Sequence, residues 1–326
     1  MITTTKKIVV LGTGGTISGL AMSPCDNVSY VSGEVGIEAL LKSVPFKQSR
    51  QFEVVGEQVA QLDSKDMSFS VLKTLAYRVN SLMMDDDVTG VVITHGTDTL
   101  EETAFFLQKV CIPSKPVVLT CAMRPASSFA PDGPQNLLDS LSVASCPSVS
   151  GVFVVCSGRI HSASLVQKIH TYRLDPFDSG ESGCVGFVEE GQVRFTDARP
   201  CVVRGFISNN LKKVALLPLD DRWPRVEILM NFVGANGLIV DALIGQGVDG
   251  IVVAGTGNGT IHHALERALC RAQLSGVSVV VATRCSEGRV LNMPERPFLD
   301  SMGLSPVKAR IALVLKLLES SGAQSY

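Results

Sequence analysis

The chain has 326 residues, enough for about two domains, and 45% of them are hydrophobic, so a full-sized buried core is expected. Its formal charge of -2 gives no electrostatic footprint for nucleic acid or an anionic membrane. No apolar run reaches the roughly 18 residues that a membrane span needs.

The start, MITTTKKIVVLGTGG, is basic and then apolar, but the apolar part is only Ile8 to Leu11 and runs straight into glycines. That reads as a first core strand rather than a secretory signal. The nine cysteines are odd in number and no two are spaced as CxxC, which predicts free thiols in a reducing cytoplasm. His262 and His263 are adjacent, and the five histidines lack metal-site spacing; no metal and no cofactor is expected.

In chain order, residues 6–11 form the first strand and the glycine loop GTGGTISG (12–19) follows. The loop fits neither GxGxxG nor a Walker A, having no GK[ST]. Its glycines permit close backbone approach, and Thr13 and Thr16 place hydroxyls there. Residues 20–33 have no clear period and read as a plain excursion or a lid; on the letters alone Tyr30 is an edge packing residue. Residues 34–44 are helical and end at Pro45. Residues 52–60 are strand-like. A polar turn, QLDSKDMS (61–68), leads into a helix over 69–83, with Ser64 or Asp66 as its N-cap.

Residues 88–108, VTGVVITHGTDTLEETAFFLQ, concentrate the chemistry. Val91, Val92 and Ile93 suit a buried strand. Leu100 to Gln108 read as a helix with Glu101 and Glu102 in its first turn, where acids complement the helix dipole. The six residues between, 94–99, hold three threonines, His95 and Asp98. Such a turn, at the carboxyl end of a strand and the amino end of a helix, is where open α/β sheets bind ligands. Its N–H groups hold an anion or a developing oxyanion. The plain alternative is a capped helix start, with Thr97, Asp98 or Thr99 satisfying free N–H groups.

Residues 115–120 form another strand, a Pro/Gly-rich loop from Ala122 feeds a helix from about Asn136, and residues 150–156 form the next strand. Residues 157–183 carry Arg159, His161, Lys168, His170 and Arg173, a basic excess that reads as solvated surface, although a buried lysine has a readily lowered pKa. Residues 184–203 read as short strands or a hairpin around the turn at Glu190 and Gly191. From residue 211 a new unit starts: a strand over 212–219, an irregular stretch over 223–231, a helix over 235–246, a strand and turn over 250–259, a helix over 260–274, a strand over 277–285, a loop over 286–303 and a last helix from Pro306. This βαβαβ pattern gives a second, smaller parallel domain. The expected fold is α/β with two doubly wound parallel-sheet domains, 1–198 and 213–326, joined by a linker over 199–212.

Three segments then coincide: GTGGTISG at 12–19, THGTDTLEETA at 94–104 and AGTGNG at 254–259. Together they resemble the bacterial-type L-asparaginase family, amidohydrolases built on two α/β domains, the larger N-terminal one flavodoxin-like. The resemblance covers essentially the whole chain. It includes SYVSGEVG (29–36), QLDSKDM (61–67), AMRPASSFAPDGPQNL (122–137) and the Lys168 segment.

The resemblance implies hydrolysis of L-asparagine to L-aspartate and ammonia. It places the nucleophile on Thr16, a lid tyrosine on Tyr30, and a Thr–Lys–Asp triad that includes Thr97, Asp98 and Lys168. Substrate α-carboxylate and amine fall to Ser64, Asp98 and the backbone of Gly15 and Gly96, with Asp63 and Thr97 alongside. The side-chain amide falls to the backbone at Ala122. A neighbouring subunit supplies Asn258 and Glu295, with Glu287 a competing choice. The implied assembly is a homotetramer, a dimer of intimate dimers with active sites at the subunit interface. The implied setting is cytoplasmic.

The residue types suit that chemistry. A threonine hydroxyl has too high a pKa to attack an amide unaided and needs a base and an oxyanion site. Which of Thr16 and Thr97 attacks first is left open by the letters. This chain also departs from the family: Lys65 stands where secreted members often have glutamine, Asp63 where they often have glycine, and the segment 285–297 is unlike the common one. The asparagine-to-glutamine preference is therefore open. Three rivals are a glutaminase-asparaginase, the deamidating subunit that serves tRNA charging, and a non-catalytic nucleotide-binding module. The second usually carries an added N-terminal domain, whereas here a strand begins by residue 8. The third has only the glycine loop in its favour.

Overall fold

The structure is a computed structural model that describes residues 6–44, 52–111, 113–147, 149–196, 214–291 and 295–322. It divides into two compact units, Met1–Val214 and Ala215–Tyr326. The expected linker over 199–212 lies outside the described residues, as does Pro45.

The first unit opens with β1 (Lys6–Gly14), a small hairpin of β2 (Leu20–Ala21) and β3 (Tyr30–Val31), and α1 (Ile37–Ser43). Then come β4 (Phe52–Leu62), α2 (Phe69–Met83), β5 (Val88–Thr94), α3 (Leu100–Val110), β6 (Pro116–Thr120), α4 (Gly133–Ala144) and β7 (Gly151–Cys156). The remainder is β8 (Arg159–Ser162), β9 (Gln167–Lys168), β10 (Phe177–Asp178), β11 (Gly186–Glu189) and β12 (Gln192–Phe195). The main sheet runs β12-β11-β8-β7-β6-β5-β1-β4. Its strands β4, β1, β5, β6 and β7 are parallel, and β8, β11 and β12 continue it antiparallel.

The parallel part has the flavodoxin-like order, which changes direction between β1 and β5. Both faces of β1, β5, β6 and β7 are buried, which explains their near-continuous apolar runs, whereas β4 at the sheet edge alternates between half-buried and exposed residues. Ile8, Val10, Val92, Val118, Phe153 and Val155 pack with Ile37 and Leu40 of α1 and Leu137 and Leu141 of α4. The register puts Gly12, Thr94, Thr120 and Val155 in one row across four strands. The turns after β1, β5, β6 and β7 therefore leave the sheet at one level.

The second unit holds β13 (Val226–Met230), α5 (Leu238–Gly245), β14 (Gly250–Gly255), α6 (His263–Leu274), β15 (Ser278–Thr283), β16 (Leu299–Asp300) and α7 (Pro306–Gly322). Its strands are parallel in the order β13-β14-β15-β16. Helices α5 and α6 pack over Ile251, Val253, Val279 and Val281, while Leu313 of α7 lies against Gly250.

Several sequence expectations shift. Residues 34–36 precede α1, whose N-cap is Gly36. Ser68, not Ser64 or Asp66, caps α2 by accepting from Val71 N–H; Ser64 and Asp66 lie in a short 3-10 turn capped by Asp63. Helix α4 starts at Gly133, with Pro134 in its first turn, where a missing N–H costs nothing. Val214–Leu216 is a 3-10 turn, and the strand of that unit comes instead from Val226–Met230, in the stretch expected to be irregular. Pro218 sits inside the apolar run, and proline cannot donate to a ladder. The hairpin turn at Glu190 and Gly191 is as expected: both have positive φ, 49 and 75, the I′ pattern that matches strand twist.

At Gly90 of β5 an added Cβ would lie 2.2 Å from the carbonyl oxygen of Ala144. Gly90→Ala is expected to destabilise the protein by about 1–3 kcal/mol, the cost of overpacking against backbone. Urea unfolding checks this, and an unchanged midpoint contradicts it.

Candidate active site

The site begins where β1 stops being regular. Its pairing with β4 shifts between Gly12 and Gly14, and Gly14 and Gly15 adopt φ of 102 and 83, which side chains rarely tolerate. A Cβ on Gly15 would lie 2.3 Å from the Cα of Gly96, and one on Gly96 would lie 2.5 Å from Ser64 Oγ. Backbone thus rests directly on backbone. The turn after β1, the turn after β5 and the turn after β4 are drawn together at the switch point of the sheet, the crevice where such folds bind ligands.

Thr16 heads a 3-10 turn (Thr16–Ser18) and is buried. Its Oγ1 shares a 2.7 Å hydrogen bond with the Tyr30 hydroxyl. Tyr30 sits on β3, with its ring against Gly19, where a Cβ would come within 2.8 Å of Cδ2. The hairpin is fastened to a facing loop: Ala21 N–H donates to Ser127 Oγ at 2.7 Å and Phe129 N–H to the Pro24 carbonyl at 2.8 Å. The irregular segment is thus a tied flap, with Tyr30 over the threonine.

Lys168 arrives from the far side on β9, which pairs with β10. Its Nζ donates to Thr97 Oγ1 at 2.8 Å and to Asp98 Oδ1 at 2.6 Å. The lysine side chain is 18% exposed and that of Asp98 55%. Ser64 Oγ accepts the N–H of Asp98 at 3.2 Å, and the Ser64 carbonyl accepts the Thr99 hydroxyl at 2.7 Å. Helix α3 has Thr99 at its N-cap with no side-chain cap bond. The hydroxyls of Thr97 and Thr99 therefore tie separate segments together instead of closing the helix end. Among the described residues the N–H groups of Gly96 and Thr97 meet no acceptor, so they remain available to an anion.

His95 has a different task. It is fully buried; its Nδ1 contacts the Gly96 carbonyl at 2.7 Å and its Nε2 the Thr103 hydroxyl at 2.9 Å. A carbonyl only accepts, so Nδ1 carries the proton and Nε2 accepts from Thr103. Burial lowers its pKa to about 4, and the ring is a neutral brace between the turn and α3.

The other expected residues fall as follows. Asp63 accepts Lys65 N–H at 3.3 Å, and the Lys65 ammonium pairs with Asp66 and, at 3.9 Å, with Asp63. The Gly15 N–H donates to the Leu62 carbonyl at 2.9 Å, so what Gly15 supplies is room. Ala122 is fully buried just past β6. Asn258, Glu287 and Glu295 belong to the second unit, all exposed. There the Asn258 side chain accepts Leu291 N–H at 2.7 Å. Sequence reading missed Asp132 and Asn136, which bind the turn holding Ala122. The available signal was the acid directly before Gly133 and Pro134. Among the described residues no three His, Cys, Asp or Glu side chains converge as a metal set, and no helix is long and apolar enough to cross a membrane.

Two family descriptions match the chain: "Asparaginase, N-terminal" over residues 7–200 and "Glutaminase/Asparaginase C-terminal domain" over residues 225–325. L-asparaginase 2 of Bacillus subtilis is 37% identical over 322 residues, 97% of this chain and 84% of that protein. L-asparaginase 2 of Escherichia coli is 36% identical over 97% of this chain and 90% of its own length. A glutaminase-asparaginase of Pseudomonas fluorescens is 33% identical over 97% and 88%. Among solved structures, a probable cytoplasmic L-asparaginase from Campylobacter jejuni superposes with a TM-score of 0.86 at 35% identity, covering 97% of this chain and 96% of that one.

The His95 environment yields a pH dependence. Its folded pKa of about 4 lies below the ordinary 6.5, so the unfolded chain binds the proton more readily. The stabilisation is complete above pH 6.5 and is lost as pH falls toward 4. His161, lowered to about 4 chiefly by burial, acts in the same sense. Thermal unfolding at stepped pH is expected to show the midpoint falling across this window, and His95→Gln is expected to flatten the fall. An equally steep profile in that variant contradicts the assignment.

Proposed function

The chain belongs to the asparaginase family, and from that premise we propose that it hydrolyses L-asparagine to L-aspartate and ammonia with Thr16 as nucleophile. The observation that carries the reading is Lys168 Nζ bridging Thr97 and Asp98, on the turn whose Gly96 rests against Gly15, the residue before Thr16. Thr97 Oγ1 already accepts a hydrogen bond from the ammonium, which withdraws electron density from it. Among the described residues Thr16 Oγ1 bonds only to the phenol of Tyr30, and so is the better first attacker.

In the first half-reaction Thr16 Oγ1 forms a bond to the side-chain amide carbon and its proton passes by way of the Tyr30 hydroxyl. The C–N bond breaks, the nitrogen takes up a proton, and ammonia leaves an ester on Thr16. In the second, water attacks that ester, the C–Oγ1 bond breaks, a proton from the water returns to Thr16 Oγ1, and aspartate is released. The Lys168–Thr97 pair, oriented by Asp98, relays protons, while the open Thr97 N–H stabilises the tetrahedral oxygen.

Recognition follows charge. The open side of the Asp98 carboxylate meets the substrate ammonium. Ser64 Oγ–H and the Gly96 N–H meet its carboxylate, and the backbone at Ala122 meets the amide. Asp63 and Lys65 flank this end with a linked set of charges, supporting a second reading as a glutaminase-asparaginase with broader amide specificity. Initial rates on L-asparagine, L-glutamine and D-asparagine separate the two: comparable rates on the first two amides favour the broader enzyme.

The proposal extends to assembly and setting. Met230, Phe232, Val233, Leu238 and Ile239 lie within ten residues of the second unit and are each at least 54% exposed. Such a run supports self-association, as a homotetramer in which Asn258 and Glu295 complete a neighbour's site. A cytoplasmic setting is supported by the description of the Campylobacter relative.

Thr16→Ala is expected to lower kcat by at least about 10³-fold with an unchanged far-ultraviolet circular dichroism spectrum; full activity would eliminate the nucleophile. Light scattering under assay conditions is expected to give an oligomer, and an active monomer refutes a shared site.

A further inference from the structure

The turn that carries Ala122 is shaped by two side chains with no role in the scheme above. Asp132 stands directly before α4, where a cap is expected, yet it makes no cap bond. Its carboxylate turns back instead: Oδ2 accepts Met123 N–H and Oδ1 accepts Arg124 N–H, both at 2.9 Å. Asn136, one helical turn on and buried, donates Nδ2–H to the Cys121 carbonyl at 3.0 Å and to Asp132 Oδ2 at 3.3 Å. Its Oδ1 accepts Ser157 N–H at 2.9 Å. The carbonyl before Ala122 and the two amides after it are thus all fixed by the first turn of one helix.

The same turn touches the nucleophile loop. A Cβ on Gly133 would lie 2.8 Å from Ile17 Cγ1 and 3.4 Å from Ala122 Cβ. The start of α4 is therefore wedged between the residue after Thr16 and the residue that meets the amide. Hydrogen bonds to a carboxylate are short and strong, and Asp132 makes two of them in parallel, which fixes direction as well as distance.

We propose that Asp132 and Asn136 are positioning residues that set the gap between Thr16 and the amide subsite, and so decide which side-chain length is hydrolysed. This rests on Ala122 being that subsite. Glutamine carries its amide one methylene farther from the ammonium and carboxylate, so it needs a different gap. The clamp acts at the reacting end, while Asp98 and Ser64 hold the other, so its loss is felt in kcat more than in KM.

The test compares Asp132→Ala and Asp132→Asn with the unaltered full chain, each assayed on L-asparagine and L-glutamine from one preparation. The ratio of the two rates does not depend on how much enzyme is correctly folded. Asp132→Ala is expected to lower kcat on asparagine by about 10²-fold, the cost of a misplacement near 1 Å, with KM little changed and the ratio shifted several-fold. Asp132→Asn keeps one acceptor oxygen and the shape of the side chain. It is expected to shift the ratio in the same direction by less, and decides the matter if the alanine variant does not fold. An unchanged ratio, even with reduced total activity, means that the side chains serve stability alone and overturns the proposal. So does a loss confined to KM. Ammonia from neither amide with the unaltered chain is a different failure: it overturns the functional reading, and the clamp with it.

Discussion

The site depends on one contact without side chains, Gly15 resting on Gly96. Strands β1 and β5 are hydrogen-bonded neighbours up to Gly12 and Thr94, so their turns start about 4.8 Å apart. Most turns leaving such a pair splay around their own side chains. Here Gly96 lies between Gly15 and Ser64, with no space for a Cβ on Gly15 or on Gly96. Four of the proposed site residues hang from that stack: Thr16 follows one glycine, Thr97 and Asp98 follow the other, and Ser64 closes the third side. The strain of the positive φ at Gly14 and Gly15 is avoided only because both are glycine.

Charge around that stack is divided by burial. His95 is enclosed and neutral, bracing the turn from below through Gly96 and Thr103. Lys168 and Asp98 stay near solvent, where an ion pair contributes little to stability. Their close geometry is better understood as orientation. The ammonium holds Thr97 Oγ1 and one carboxylate oxygen while the other oxygen stays accessible. A fully buried pair would be harder to break, but it would leave nothing of Asp98 for a substrate.

The parallel strands of the first unit were legible because burial on both faces makes them continuous apolar runs, from Ile8–Leu11 to Val91–Ile93. The hydroxyl-rich turn was legible from its residues as a place, where Thr97, Asp98 and Thr99 look like cap residues. Its link to Lys168, 70 residues away, came from the family resemblance alone, because nothing in local spacing joins them, and the fold supplies the contacts. Ser64 misled in the same way: a serine ahead of a helix reads as a cap, whereas its oxygen is needed by Asp98. In the second unit the apolar letters of 214–219 outweighed Pro218, and the strand at Val226–Met230 was hidden behind Pro224 and a charged residue. Asp132 escaped notice because its sequence position gives it an ordinary reason to exist.

The loop between β6 and α4 links the pieces that have to act together. At one end Asp132 and Asn136 fix the backbone around Ala122. In its middle Ser127 and Phe129 hold the flap that carries Tyr30. The Arg124 guanidinium reaches across to the Ala130 carbonyl at 3.0 Å, so the loop is braced along its length. One loop therefore carries attachments both to the hairpin that places the phenol against Thr16 and to the backbone around Ala122, so these two parts of the candidate site share a single support.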